Sequence, residues 1–316
     1  MRFRTNVDNV AGFYRIVQAL AQLQKKFVMK FTETAMFIVC SSDINEGGMQ
    51  VWTNIKVSTL FVDYRIQSNA NNEIGMTVST EALLTTLRSA CSPNSNNNSI
   101  LTNTEVIMRL AKKNDRAVLS FEIIGQSRSS RDMRIVQDVR IEMMRQQELD
   151  KLREPMCPEP DIHIMLPPLT KLRTVMERLR SQSDIIRVQA NKAGRLDFAV
   201  STDSIAIEVC WTGLQAPTFG KRASQAQNQS QSESQGESQE EQEDEASQSA
   251  AKERMCGVLV NVKSIMKFLQ SHVVCSSTIA GICQRHCLIL YVYIGDAADA
   301  GGILTFYIPA IMDDDP

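Results

Sequence analysis

Residues 168–211 read PLTKLRTVMERLRSQSDIIRVQANKAGRLDFAVSTDSIAIEVCW, and two periodicities follow one another within them. Leu169, Leu172, Val175, Met176 and Leu179 recur at the spacing that gathers apolar side chains on one face of a helix over 168–182, with Pro168 suited to the first turn. Beyond that helix the period drops to two. Leu196, Phe198 and Val200 alternate with Asp197 and Ala199, and Ile205, Ile207, Val209 and Trp211 alternate with Ala206, Glu208 and Cys210. This alternation predicts strands with one apolar face, and Lys192-Ala193-Gly194 supplies a turn ahead of them.

The same unit recurs outward in both directions. Phe13, Ile16, Val17, Leu20 and Leu23 predict a helix over 9–26, with Asp8 as its N-cap. Leu83, Leu84 and Leu87 predict one over 80–91, and Ile265, Met266, Phe268 and Leu269 one over 263–273. Between the helices the chain alternates as strand, as where Ala117, Leu119, Phe121 and Ile123 oppose Val118, Ser120, Glu122 and Ile124. Turn signals at Asn45-Glu46-Gly47-Gly48 and Gly301-Gly302 suit short antiparallel meanders. A strand, a helix and about three strands therefore appear four times, which predicts an α+β chain built as two similar halves.

Two segments break this rhythm. Arg153-Glu154-Pro155-Met156-Cys157-Pro158-Glu159-Pro160 carries three prolines and predicts an extended connector over 153–161, between domains at 1–152 and 162–316. Residues 223–251, inside a polar insert spanning 215–254, hold seven acids, no Lys or Arg, and no aromatic or β-branched residue. Such a stretch buries too little apolar surface to offset its ordering entropy, and disorder is expected there.

At 316 residues with 43% hydrophobic composition, the rest of the chain has material for two cores. No apolar run is long enough to span a membrane, and the Met1-Arg2-Phe3-Arg4 start lacks the apolar stretch of a secretion signal. Eight cysteines without paired spacing read as reduced thiols.

The net charge of −2 hides an asymmetry. Setting aside the seven acids of the insert and the three of Asp313-Asp314-Asp315 leaves +8 on the remainder. The four predicted helices hold Arg15, Lys25, Lys26, Arg88, Lys171, Arg173, Arg178, Arg180, Lys263 and Lys267 against only Glu81 and Glu177. Helices that lay an apolar stripe on a sheet must turn these bases outward, and such a surface attracts phosphates without reading bases. The plainer alternative is that Lys and Arg are good helix formers on solvated faces. The scarcity of acids on those faces argues against it, because solvated helices usually mix signs.

Four further stretches carry a resemblance. Met1-Arg2-Phe3-Arg4, Asn71-Asn72-Glu73-Ile74, the connector from Glu154-Pro155 to Pro160-Asp161, and the ending Phe306-Tyr307-Ile308-Pro309-Ala310 together resemble the Hus-one family of checkpoint sliding-clamp subunits. The resemblance covers nearly the whole chain apart from the insert. It implies two tandem PCNA-like clamp domains, with antiparallel sheets outside and two helices per domain lining a central channel. It also implies a heterotrimer with Rad-nine and Rad-one types of subunit, placed on double-stranded DNA by an ATP-driven clamp loader. Such a ring recruits checkpoint and repair proteins in the nucleus, after a cytoplasmic stage before assembly, and uses no cofactor and no catalysis of its own. Neighbouring subunits in the family join through edge strands, which position assigns here to Val106–Ala111 and Ile185–Gln189. Clients would dock at Met156, Cys157, Ile308, Pro309, Ala310 and Ile311, although Ile308 and Ile311 equally suit core positions. A homotrimeric replication processivity clamp and a protein-only scaffold that never meets DNA remain the alternatives.

Other constellations carry less. Ser224, Ser230, Ser234, Ser238 and Ser247 each precede Gln, the pairing that large checkpoint kinases prefer, but a low-complexity spacer would hold some by chance. Cys283 and Cys287 would share a face of a continuous strand, with His286 on the other, a poor start for tetrahedral zinc even if Cys275 joined. No metal site is expected from that pattern, and buried reduced cysteine is the default. His163 and His272 are isolated, no glycine-rich phosphate loop exists, and Asp296, Asp299 and Gly301 lack calcium-loop spacing. An enzyme reading has no candidate nucleophile, base or cofactor site.

Overall fold

The computed structural model describes residues 1–41, 48–91, 101–127, 132–217, 252–275, 277–295 and 300–312. Residues 218–251 of the insert, with its five Ser-Gln pairs, the acidic tail, and Asp296 and Asp299 lie outside the described residues.

The chain opens with β1 (Arg2–Val7), α1 (Val10–Ala21), β2 (Lys26–Phe31), β3 (Ala35–Ser41) and β4 (Gln50–Lys56), then a helical turn α2 (Val57–Leu60) and β5 (Phe61–Gln67). A second set follows as β6 (Ile74–Ser79), α3 (Thr80–Ala90), β7 (Leu101–Lys113), β8 (Arg116–Ser127) and β9 (Asp132–Met143), closed by the short α4 (Gln146–Leu149). The third is β10 (Ile162–Met165), α5 (Leu169–Leu179), β11 (Ile185–Ala190), β12 (Leu196–Ser201) and β13 (Ala206–Trp211). The last is β14 (Cys256–Asn261), α6 (Val262–Phe268) running into a 3-10 turn (Leu269–Val273), β15 (Ser277–Cys283), β16 (Cys287–Ile294) and β17 (Gly302–Pro309). Strand, helix and three strands thus occur four times in order, with β5 as an addition to the first set.

Two compact units emerge. The first comprises Met1–Met156, Ser264–Ser277 and Tyr291–Ile308, and the second Cys157–Lys263, Thr278–Leu290 and Pro309–Pro316. In the first unit the strands run in the order β17-β4-β3-β2-β6-β9-β8-β7-β1-β5. Its registers are antiparallel, from Gly302 opposite Ile55 to Arg2 opposite Gln67. Here α1 packs against α3 and against the 3-10 turn, burying Phe13, Ile16, Val17 and Leu20. Phe3, Phe31, Phe61 and Tyr64 stack beneath, with ring centroids 4.6–6.3 Å apart. In the second unit one sheet runs β13-β12-β11-β14, β10 pairs with β15, and α5 buries Leu169, Leu172, Met176 and Leu179.

Four local expectations change. Asn9 caps α1, its side-chain oxygen accepting from the Gly12 amide at 2.8 Å, while the Asp8 amide donates to the Leu60 carbonyl. That first helix ends at Ala21, so Lys25 and Lys26 fall outside it, and Lys26 opens β2. The strand at 116–127 is covered on both faces: Ser120 and Glu122 are buried beside Leu119 and Phe121. Glu122 tolerates this because Arg134 lies 2.6 Å from its carboxylate. Finally, Ile185–Gln189 is not an edge, and Val106–Ala111 is covered on its second side over its middle residues. Within the first segment, Ile107–Arg109 of β7 pair with β1 while β8 lies on the other side, and β11 sits between β12 and β14. Among the described residues the strands with one partner are β5 and β10, each at the end of its sheet, and β13 and β14, at the two ends of theirs.

Candidate nucleic-acid interface

Each helix holds its bases by the same device. On α1, burial of Phe13, Ile16 and Val17 leaves Arg15 on the exposed side. In α3, Ser79 accepts from the Ala82 amide at the start, and Arg88 stands in the last turn, where a cation meets the negative end of the helix dipole. Helix α5 buries Leu172 and Met176 and exposes Lys171 and Arg178, with Arg180 at its C-cap. Lys263 and Lys267 follow one another by a turn on α6.

Ion pairing sorts these bases into two groups. Arg173 lies 2.9 Å from Glu177, Lys263 lies 3.4 Å from Asp184, and Lys26 lies 2.9 Å from Glu142. Asp184 and Glu142 sit outside the helices, so a tally of helix residues alone misses them. Among the described residues no carboxylate pairs with Arg15, Lys25, Arg88, Lys171, Arg178 or Arg180, all of which are exposed. An unpaired surface cation keeps only diffuse counterions, which a phosphate can replace at a gain in ion entropy. Helices α1 and α3 belong to the first unit and α5 to the second.

The residues expected to receive clients are split by burial. Ile308 is fully buried in the first unit and offers no side chain, whereas Met156 is 97% exposed. Pro309 is exposed, and Ala310 and Ile311 are half-buried. The Ala310 amide donates to the His286 carbonyl at 2.9 Å and the Ile311 amide to the Leu259 carbonyl at 2.8 Å. Both residues line a cleft of about 660 Å³ in the second unit, together with Arg187, Gln189, Leu259 and Arg285. Cys157 lies elsewhere in that unit, in a sulfur cluster.

That cluster corrects the reading of Cys283 to Cys287 as one continuous strand. Gln284–His286 form a turn between β15 and β16, so Cys283 and Cys287 flank a hairpin. Ligand atoms of Cys157, His286 and Cys287 lie within 4.8 Å of one another. Cys275 belongs to the other unit.

Comparison with known proteins follows the same lines. The family described as Hus1-like protein matches residues 1–312. The chain is 30% identical to the checkpoint protein hus1 of Schizosaccharomyces pombe, with 99% of this chain and 100% of that protein aligned. It is 26% identical to the checkpoint protein hus1 homolog of Dictyostelium discoideum, over 99% of each. With human checkpoint protein HUS1 it shares 25% identity over 71% of this chain and 78% of that one. Among solved structures, proliferating cellular nuclear antigen from Entamoeba histolytica superposes with a TM-score of 0.64 at 13% identity, covering 98% of this chain and 99% of that one. The fourfold strand–helix–strand order is therefore a PCNA-like fold. With the family match running from the first residue to position 312, the chain belongs to the Hus1-like protein family.

Proposed function

We propose that this protein is a non-catalytic subunit of a heterotrimeric DNA-encircling checkpoint clamp, which holds a platform for checkpoint and repair proteins on damaged DNA in the nucleus. The observation that carries this reading is the full-length family match to proteins named for the checkpoint, on a chain with a PCNA-like fold. The likeness to proliferating cellular nuclear antigen, at 13% identity, speaks for the fold alone, so the homotrimeric replication clamp loses its support.

In this reading the chain divides into clamp domains at 1–152 and 162–316 joined by the connector. Helices α1, α3, α5 and α6 face the duplex, and ten bases from Arg15 to Lys267 form the cationic lining. The exposed and unpaired six of them, Arg15, Lys25, Arg88, Lys171, Arg178 and Arg180, contribute most, because the others already have carboxylates or other partners. The partners are subunits of the Rad-nine and Rad-one types, and an ATP-driven loader opens and places the ring. Single-partnered strands such as β13 favour joining through strand edges, because a heterologous interface closes a ring when each subunit gives one edge and receives another. Clients would use the rim at Met156, Pro309, Ala310 and Ile311, and kinases the serines at 224, 230, 234, 238 and 247.

Native mass spectrometry of the full chain, alone and with the two partner types, tests the assembly. A single species holding one copy each of three different subunits is expected. Stable trimers of this chain alone would overturn the heterotrimer.

A further inference from the structure

We infer that Cys157, Cys283, His286 and Cys287 form a tetrahedral site for a Zn²⁺ ion, which staples the end of the connector to the β15–β16 hairpin within the second unit.

The argument starts from the backbone. Arg285 adopts a φ of 58°, in the left-handed region, and this lets Gln284–His286 reverse the chain so sharply that the His286 amide donates to the Cys283 carbonyl at 3.0 Å. Cys283 and Cys287 therefore face each other across the neck of the hairpin, and their thiols hydrogen-bond. The connector is held alongside by three contacts. The Asp161 amide donates to the Ile282 carbonyl at 2.9 Å, the Gln284 amide donates to the Asp161 carboxylate at 2.8 Å, and the Cys283 thiol donates to the Pro158 carbonyl at 3.4 Å. These contacts deliver Cys157 to the same place, where it also hydrogen-bonds to the Cys287 thiol.

The resulting donor set is three sulfurs and one imidazole. Zn–S bonds of about 2.3 Å and a Zn–N bond of about 2.0 Å at tetrahedral angles require donors about 3.5–3.8 Å apart. Ligand atoms of Cys157, His286 and Cys287 already lie within 4.8 Å of one another, so a small side-chain contraction closes three corners of the site. Cys283 lies outside that 4.8 Å group, its thiol shared between Cys287 and the Pro158 carbonyl, and supplies the fourth corner by turning from that carbonyl toward the ion. Soft thiolates with one imidazole in tetrahedral array favour zinc over calcium or magnesium. Burial is graded as a structural site needs: Cys283 and Cys287 are buried, Cys157 is half-buried, and His286 is exposed, giving the ion a way in. Loading replaces three S–H bonds by three S–Zn bonds and releases three protons to solvent, with no change of oxidation state.

The test uses the full chain purified under reducing conditions. Metal content is measured by inductively coupled plasma mass spectrometry, and Co²⁺ replaces Zn²⁺ as a spectroscopic probe. One zinc per chain is expected, and the Co²⁺ form should show thiolate-to-metal charge transfer with the strong visible bands of a tetrahedral centre. Cys157→Ser and His286→Ala, at positions outside the buried core, should each weaken Zn²⁺ binding at least about tenfold while circular dichroism stays unchanged. A metal-free chain whose Co²⁺ spectrum lacks charge transfer would overturn the proposal. So would Cys157→Ser and His286→Ala variants that bind Co²⁺ with the affinity and spectrum of the unaltered chain, or an intact mass showing Cys157 in a disulfide. If a variant fails to fold, the metal content and Co²⁺ spectrum of the unaltered chain still decide.

Discussion

Leu149 of α4 rests on the bare Cα of Gly75 in β6, so closely that a methyl group at position 75 would overlap the Leu149 side chain. Leu149 is 5% exposed and cannot swing into solvent without giving up its burial. The Met144 amide donates to the Gly75 carbonyl at 3.0 Å, so the strand cannot back away either. Gly75→Ala should therefore destabilise the chain by about 1–3 kcal/mol through overpacking, read from urea unfolding. Leu149→Ala alone should cost about 2–5 kcal/mol. The double variant should cost less than the sum, with a coupling of at least about 0.5 kcal/mol. Strict additivity would mean that the two residues do not touch.

The rings of Phe268 and Phe306 meet edge to face, with centroids 5.1 Å apart and planes at 83°. Both are buried in the first unit, where late segments of the chain join residues 1–156. Phe306→Ala should cost about 3–5 kcal/mol, since it loses the burial of an aromatic side chain and leaves Phe268 beside a cavity. A thermal melt within a degree of the unaltered chain would show that β17 contributes little to that core.

Acid should weaken the protein through two buried carboxylates. Burial by itself would raise the Asp197 carboxyl, but hydrogen bonds from Arg195 and Cys210 outweigh it and hold the group below its ordinary range. Glu122 is likewise held low, chiefly by its hydrogen bond from Arg134. A carboxyl whose folded-state pKa is depressed adds stability that is complete above its unfolded value, about 3.9 for Asp and 4.3 for Glu, and is lost as pH falls through the lower folded value. Urea midpoints measured downward from pH 6 should stay level to about pH 5 and then drop. Asp197→Asn and Glu122→Gln should each flatten the drop, at the cost of lower stability at pH 6.

How far the sequence reaches is clear from particular residues. Phe13, Ile16 and Val17 mark α1 because a stripe with a 3.6-residue period has only one way to bury itself. Its end was hidden because Leu23 keeps the helical spacing and remains buried after the chain has turned, and no Gly or Pro marks the stop. From spacing alone Lys25 and Lys26 therefore read as helical. Strand edges were illegible for a different reason. The pairing of Thr5 with Met108 joins residues about a hundred positions apart, and no local pattern encodes which strand a neighbour will choose. Cys283, His286 and Cys287 stand out in the sequence, but Gln284-Arg285-His286 lacks the usual turn residues, so neither the hairpin nor the approach of Cys157 is legible there. The basic helix surfaces were legible as a class, but their pairing with Glu142 and Asp184 needed three dimensions.

That pairing makes the proposed DNA contact testable within one protein. Charge reversal at Arg15, Arg88, Lys171 and Arg178, exposed and without a carboxylate partner, should weaken retention of the assembled ring on circular DNA. If each base meets one phosphate, each reversal should lower the slope of log affinity against log salt by about one. Substituting Arg173 or Lys263, already engaged with Glu177 and Asp184, should lower it less. Affinity should fall by the same factor on unrelated sequences, because backbone contacts carry no base information. If the salt slope is unchanged across the four unpaired reversals while the ring still assembles, these helices do not face the duplex, and a protein-only scaffold becomes the better account.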